Sequence, residues 1–316
     1  MEKRLISIVI PAYNEEDCID ELTIRLKSVM NFEDNYDFEV VIVENGSSDS
    51  TWDKLVDINR NDKRFKIIKL ARNFLMDGGL TAGLDYISGD AVVLMTADLQ
   101  DPPEFIPKLI REWELGWENI YGLVTKRNGT GPIRTFNSKL FYLLANSLSD
   151  GRLPKNASDF RLADRKVYMT VRQMKERNRF VRGLFAWPGF KTKGISLERP
   201  PRFGGKSKAH TFKVLDLAFK GIFAHSYKPL KFITGFGIFL SFVSFVSLLP
   251  LTYLWVFHGV PFAGFGTLVG ILMLLISFLF FTLGIIGEYI ALIYEEVKSR
   301  PIYAISEVLG FTEVTS

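Results

Sequence analysis

A single cysteine, Cys18, is all the sequence has, so no intramolecular disulfide can form and no cysteine-based metal site can be built. That scarcity fits a reducing compartment. No G-x-G-x-x-G follows the first apolar run, which disfavours a dinucleotide oxidoreductase, and no Walker A sequence occurs. The first apolar run, Leu5 to Ile10, is too short for a signal peptide and meets Pro11. The N-terminal region is therefore expected to stay in the cytoplasm. A formal net charge of +4 over 316 residues is no nucleic-acid signature, and no nucleic-acid partner is expected. The most informative absence is of charge in the last third. Phe232 to Phe257 and Phe265 to Ile286 contain no Lys, Arg, Asp or Glu.

What is present in the first two thirds is an alternation. Strand-length apolar runs occur at Leu5–Ile10, Phe38–Val43, Phe65–Leu70 and Ala91–Met95, with a further one at Ile120–Thr125. Between them, helical spacing is read over Asp17–Met30, Trp52–Asn59, Asp77–Ser88 and Pro103–Leu115. Gly78, Gly79 and Gly83 in the third of these imply close packing on a neighbour. Alternating strands and helices predict an α/β fold with a doubly wound, mostly parallel sheet.

Polar loops follow three of the strands, at Tyr13, Glu44 and Asp98, all on one sheet edge. Ligands of open α/β sheets bind outside the carboxyl ends of the strands. The stretch Ala91 to Glu104 stands out, because its apolar run ends abruptly in Asp98, Gln100 and Asp101 before Pro102-Pro103-Glu104. Two readings compete: a helix N-cap, or a site where a cation meets a phosphorylated ligand. Three polar loops on one edge favour the cation site, with Asp98 and Gln100 as its residues and Asp101 capping the Pro-Pro-Glu helix.

Lys and Arg gather between Lys126 and Lys231. Lys126–Pro132 is a basic loop, and Arg134–Leu148 reads as a helix that puts Arg134 and Ser138 one turn apart on one face. Asp164 reads as a cap or an arginine partner. Arg177–Trp187 interleaves charge with Phe180, Phe185 and Trp187, a pattern expected of a membrane-facing element. Pro200–Lys208 is a basic loop suited to phosphate. Thr211–Tyr227 is amphipathic, as an interfacial helix would be, with packing on the globular domain as the competing reading. The two uncharged runs are long enough to span a bilayer. Lys228 and Lys231 precede the first, and Lys298 and Arg300 follow the second, so the positive-inside rule puts both flanks in the cytoplasm.

These residues together resemble the family-2 glycosyltransferases of GT-A fold. More narrowly, the chain is similar to the polyprenyl-phosphate glycosyltransferases, including dolichol-phosphate mannose synthases and bacterial enzymes that glucosylate undecaprenyl phosphate. The likeness is carried by Val9–Glu15, Glu44–Asp49, Ala97–Glu104, the Arg134/Ser138 pair, Asp159–Leu162, Asn178–Gly183 and Gly205–Lys208, in the family's order. It implies that Pro11, Tyr13, Glu15, Glu44, Asn45, Thr96, Ala97 and Asp98 surround a nucleotide sugar, with UDP-glucose the first expectation. Asp98 and Gln100 would hold Mg²⁺ or Mn²⁺. Arg134, Ser138, Arg182, Arg202, Lys206 and Lys208 would meet phosphate or acceptor, a polyprenyl phosphate. Asp159, with Asp98, would be catalytic, lying near the sugar or the attacking phosphate. Transfer would proceed by single-displacement inversion.

Two departures stand out. The family usually has Asp-Asp where this chain has Glu44-Asn45, and Asp-x-Asp where it has Thr96-Ala97-Asp98. Donor choice and metal use are where the chain would differ from its relatives. The expected plan is a cytoplasmic GT-A domain over 1–210, an interfacial helix over 211–229, a two-helix transmembrane hairpin over 230–293 and a tail over 294–316. The enzyme would sit in the inner, plasma membrane as a multi-pass protein serving cell-envelope glycan modification. A homo-oligomer is carried over from the resemblance alone. The rivals are a transferase of the same fold with a saccharide or other lipid acceptor, and a non-catalytic membrane scaffold.

Overall fold

The computed structural model describes residues 3–126, 156–177, 179–200 and 265–311, together with 203, 230, 233–240, 242–243, 246, 253 and 257. The strands are β1 (Arg4–Ala12), β2 (Tyr36–Glu44), β3 (Phe65–Leu70), β4 (Ala91–Leu94), β5 (Asn119–Lys126), β6 (Ala157–Asp164), β7 (Thr192–Glu198) and β8 (Ile305–Leu309). The helices are α1 (Glu16–Phe32), α2 (Thr51–Asn61), α3 (Leu75–Tyr86), α4 (Ile106–Glu114), α5 (Arg165–Gln173), α6 (Val181–Ala186) and α7 (Phe265–Lys298). A 3₁₀ turn, Pro103–Phe105, leads into α4.

The strands form one sheet in the order β7-β5-β6-β4-β1-β2-β3-β8. Its centre, β4-β1-β2-β3, is parallel throughout. The flanks are mixed: β6 runs antiparallel to β4 and β5, β8 antiparallel to β3, and β7 parallel to β5. This is a GT-A α/β fold. The expected parallel sheet is its core, and the antiparallel strands β6 and β8 come from segments in which no strand is legible.

Residues Ile6 to Ile10 of β1 are fully buried except for small traces, as a strand covered on both faces must be. Their side chains alternate between two cores. Ile6, Ile8 and Ile10 join Ile19, Leu22 and Leu26 of α1, Leu55 of α2 and Ile106, Leu109 and Ile110 of α4. Val9 joins Leu80 and Leu84 of α3, Tyr168 of α5 and Leu184 and Phe185 of α6 on the other face. Gly83 explains how tightly α3 docks: a Cβ there would lie 2.2 Å from Val9 Cγ1. β4 pairs with β1 only as far as Val9↔Leu94, so Pro11 lies beyond that ladder and its missing N–H disrupts nothing there. The early end of β4 also releases the chain into the loop that carries Thr96, Asp98 and Asp101.

The Arg177–Trp187 segment packs in part on the domain. Val181, Leu184 and Phe185 of α6 are buried in the domain, and Trp187 alone of its large aromatics is strongly exposed, at 68%. Its apolar residues interleave with charge in part because a six-residue helix turns one face, Val181, Leu184 and Phe185, into the domain. The expected tail contains β8, which extends the sheet beside β3. Asp164 does cap α5, accepting from Lys166 N at 3.1 Å, and also accepts from Trp113 Nε1 at 2.8 Å.

The chain divides into two compact units, 1–215 with 300–316, and 216–299. In the second, α7 is, among the described residues, the one helix long and apolar enough to cross a membrane, over Ile271–Lys298. Phe236, from the first uncharged run, packs against Phe278 of α7 with the rings tilted by 54° and their centroids 4.5 Å apart. The interfacial helix and most of the first span lie outside the described residues.

Candidate functional site

The carboxyl ends of β1, β2, β3 and β4 open onto one cleft of about 260 Å³. It is lined by Pro11, Ala12, Tyr13 and Glu15 after β1, Asn45 after β2, Asn73, Leu75 and Met76 after β3, and Thr96, Ala97 and Asp98 after β4. Three of these loops hold a non-glycine residue in the left-handed region: Asn14 at φ 51°, Leu75 at φ 62° and Leu99 at φ 59°. Such residues cost about 1–3 kcal/mol each and gather where a site must be shaped. Side-chain hydrogen bonds supply the compensation. Asn14 N donates to Ser47 Oγ at 2.9 Å, and Asn14 Oδ1 accepts from Ser48 N at 2.8 Å, tying the first two loops together. Gly46 (φ 71°) lets the second loop pass the third, since a Cβ there would sit 2.7 Å from the Arg72 carbonyl carbon.

Asn45 uses both ends of its amide inside the protein. Its Oδ1 accepts from Phe74 N at 2.9 Å, and its Nδ2 donates to Leu75 O at 2.7 Å. A carboxylate could make the first bond but not the second. Asn45 therefore builds the cleft wall at Leu75. Its neighbour Glu44 is buried and does not line the cleft; it accepts from Ser47 N, and its Oε2 is buried without a hydrogen-bond partner.

At the β4 end the Thr96 hydroxyl lies 2.7 Å from Asp98 Oδ1 and 3.0 Å from Asp101 Oδ2, so one proton serves two carboxylates. Gln100 N donates to Asp98 Oδ1 at 3.3 Å. Asp101 does not cap the Pro-Pro-Glu turn, which has no side-chain cap. It bonds Thr96 and receives Arg199 Nη2 at 2.6 Å, while that same nitrogen reaches Ser158 Oγ at 2.7 Å. The capping expectation is corrected: a carboxylate with no exposed surface needs a cation more than a helix end does. Burial pushes Asp101 up from the ordinary carboxylate range, against the pull of Arg199.

Hard oxygen donors suit the cation expected here. One carboxylate, Asp98, and one amide, Gln100, fit Mg²⁺ or Mn²⁺, which take their remaining ligands from water and substrate phosphates. Among the described residues no group of three or more His, Cys, Asp or Glu forms a closed metal cage. The donor set fits a metal shared with a diphosphate.

Asp159, on β6, pairs with Arg182 of α6: Arg182 Nε donates to its Oδ1 at 2.8 Å. Burial would raise this carboxyl, but Arg182, with Arg161 and Arg199 nearby, holds it below its ordinary value. It is an ionised, oriented carboxylate. Arg161 itself is buried, lies over the Phe185 ring and is lowered to about 10 by that burial. Asp77, at the start of α3, accepts from Val181 N at 3.0 Å. Burial, reinforced by Asp159, pushes it up to about 6, against Arg182 and Arg179.

Thus the cleft gathers Pro11, Tyr13, Glu15, Asn45, Thr96, Ala97 and Asp98. Gln100 adjoins it, Glu44 stands behind it, and Asp159 and Arg182 form a pair. Arg134, Ser138, Arg202, Lys206 and Lys208 lie outside the described residues. Sequence reasoning missed Asn73, Leu75 and Met76. The signal was available: Arg72-Asn73 is a fourth polar loop on the same edge. Arg199 and Asp77 carry no local signal, because their partners are 98 and 104 residues away.

The family model described as Glycosyl transferase family 2 matches residues 7–172. An uncharacterized glycosyltransferase of Bacillus subtilis (strain 168), YkcC, is 40% identical over 304 residues, covering 96% of this chain and 94% of its own. A bactoprenol glucosyl transferase of Shigella phage SfX is 34% identical over 302 residues, covering 95% of this chain and 98% of its own. The crystal structure of a mycobacterial protein, 19% identical, has a TM-score of 0.50 over 71% of this chain and 74% of that one, a likeness of fold alone.

Proposed function

The chain belongs to glycosyl transferase family 2, and we propose that it transfers a sugar from a nucleotide sugar to the phosphate of a polyprenyl phosphate such as undecaprenyl phosphate. The observation that carries this acceptor is the likeness to the phage bactoprenol glucosyl transferase, which runs through 95% of the chain and so includes the C-terminal apolar part. UDP-glucose is the donor we assign first.

In this reading the nucleotide occupies the cleft between Tyr13, Asn45, Leu75 and Ala97. Asp98 and Gln100 would hold Mg²⁺ or Mn²⁺, which supplies Lewis-acid stabilisation of the departing diphosphate. The attacking group needs little activation, because a phosphate monoester has a second pKa of about 6 and is mostly ionised at neutral pH. Asp159, already ionised and paired with Arg182, is suited to orienting sugar or acceptor rather than removing a proton. One displacement at the anomeric carbon inverts it. Arg134, Ser138, Arg202, Lys206 and Lys208 are assigned to the phosphates by resemblance.

The chain's path supports a membrane anchor. The segment 216–299 leaves a domain to which the chain returns, because β8 pairs with β3. If α7 spans a bilayer, the chain crosses an even number of times. The first uncharged run, Phe232 to Phe257, supplies the second crossing, and Lys228, Lys231, Lys298 and Arg300 put the domain in the cytoplasm of a multi-pass plasma-membrane protein.

The test is direct. Membranes holding the protein, labelled UDP-glucose, undecaprenyl phosphate and Mg²⁺ or Mn²⁺ should yield a lipid-linked sugar labile to mild acid, and Asp98→Ala should abolish it. Absence of any labelled lipid across a panel of nucleotide sugars, with a positive control working, overturns the reading.

A further inference from the structure

The first turn of α3 touches both halves of the site. Leu75 and Met76 line the cleft, and Asn45 pins the turn by its bonds to Phe74 N and Leu75 O. Next in sequence, Asp77 reaches α6, where its Oδ1 accepts from Val181 N at 3.0 Å. Helix α6 has no capping side chain of its own, since Phe180 precedes it. Its second residue is Arg182, which donates from Nε to Asp159 at 2.8 Å. One carboxylate on α3 thus closes a chain of contacts: cleft wall, Asp77, Val181, Arg182, Asp159.

We propose that Asp77 is a positioning residue for sugar transfer: by capping the first turn of α6 it sets the Arg182 guanidinium against Asp159, and so couples that pair to the wall of the nucleotide cleft. The inference rests on the reading that Asp159 lies at the transfer centre. Two features support it besides the geometry. Asp77 is half-buried and its carboxyl is pushed up to about 6 by burial, so its charge costs stability at neutral pH. The bond also spans 104 residues, tying α3 to α6.

Three variants of the full-length protein in membranes test it. Asp77→Ala removes the cap. Asp77→Asn keeps an oxygen acceptor in place without the charge. Val181→Pro removes the N–H at a first-turn position where proline is tolerated. We expect kcat to fall on the order of tenfold in Asp77→Ala and in Val181→Pro, with the donor KM within about threefold of wild type, and Asp77→Asn to recover most of kcat. Amide hydrogen exchange across 179–187 should quicken in Asp77→Ala and Val181→Pro but not in Asp77→Asn. Wild-type kcat in Asp77→Ala, equal loss in Asp77→Ala and Asp77→Asn, or unchanged exchange at α6 overturns the proposal. If Asp77→Ala does not fold, Val181→Pro decides. The exchange measurement needs no substrate. A wild type that makes no lipid-linked sugar therefore defeats the functional reading separately, while the exchange result still judges the cap.

Discussion

Arg199 Nη2 lies 2.6 Å from Oδ1 of Asp101, joining the residue just past β7 to the loop after β4. Asp101 is wholly buried, so Arg199 is its counter-charge, and removing one partner of a buried pair strands the other. Arg199→Ala should destabilise the domain by about 2–4 kcal/mol at pH 8. The loss should shrink toward pH 5, because burial has already raised the Asp101 carboxyl and it can take up a proton. Denaturant unfolding at the two pH values checks this. The Asp101→Asn/Arg199→Ala double variant should lose less than the sum of the single losses.

Thr96 shares its hydroxyl between Asp98 and Asp101. Thr96→Ala should cost about 1–2 kcal/mol through those lost bonds. Thr96→Asp, which restores the spacing usual in the family, puts a third carboxylate beside two. It should be less stable than wild type in EDTA, and Mn²⁺ should raise its Tm by more than it raises that of wild type, because the ion binds the folded state alone. Equal Tm values in EDTA, with no larger response to Mn²⁺, would count against a cation at this position.

Asn45→Asp keeps the acceptor for Phe74 N but loses the donor to Leu75 O and sets a charge against that carbonyl. The expected cost is about 1–3 kcal/mol. Because Leu75 lines the cleft, donor KM should rise by more than kcat falls. Titration with a nucleoside diphosphate, followed calorimetrically, reads the same change without catalysis.

Asp77 and Asp159 should give opposite dependences of stability on pH. The folded value of Asp77 is raised from 3.8 to about 6, so the folded state holds its proton more tightly. Its contribution to stability is therefore full below about pH 4 and is lost as pH rises to about 6. Asp77→Asn should equal wild type near pH 4 and exceed it above pH 6, by up to about 3 kcal/mol. Asp159 is lowered, so its contribution is present above the ordinary carboxylate value and is lost as pH falls through the folded one. Arg182→Ala should remove that contribution, and its deficit should narrow in acid. Thermal melts across pH separate the two.

Much of the site was legible in the sequence because its signal is local. Tyr13, Asn45 and Asp98 each directly follow an apolar run, and strands buried on both faces announce themselves by composition alone. The burial of Val181, Leu184 and Phe185 was not legible in the Arg177–Trp187 segment, because a short half-buried helix and a membrane-facing one share the same mixture of aromatic and basic residues. The role of Asp101 misled because a capping position and a buried ion-pair position look alike until the partner is known. Strands β6, between β5 and β4, and β8, at the sheet edge, carry no legible strand signal because charged residues such as Asp159, Arg161 and Glu307 interrupt their apolar residues.

The sequence by itself determined the alternation of strand and helix, the polar ends on one sheet edge, the uncharged runs and the family. All of these depend on periodicity and on residues close together in the chain. Only the tertiary structure decided that Arg199 answers Asp101, that Asp77 caps α6, that Asn45 builds the wall at Leu75, and that β8 returns to β3. Each of those is a contact between groups far apart in sequence, set by the burial that makes an unpaired polar atom costly and leaves no trace in local composition.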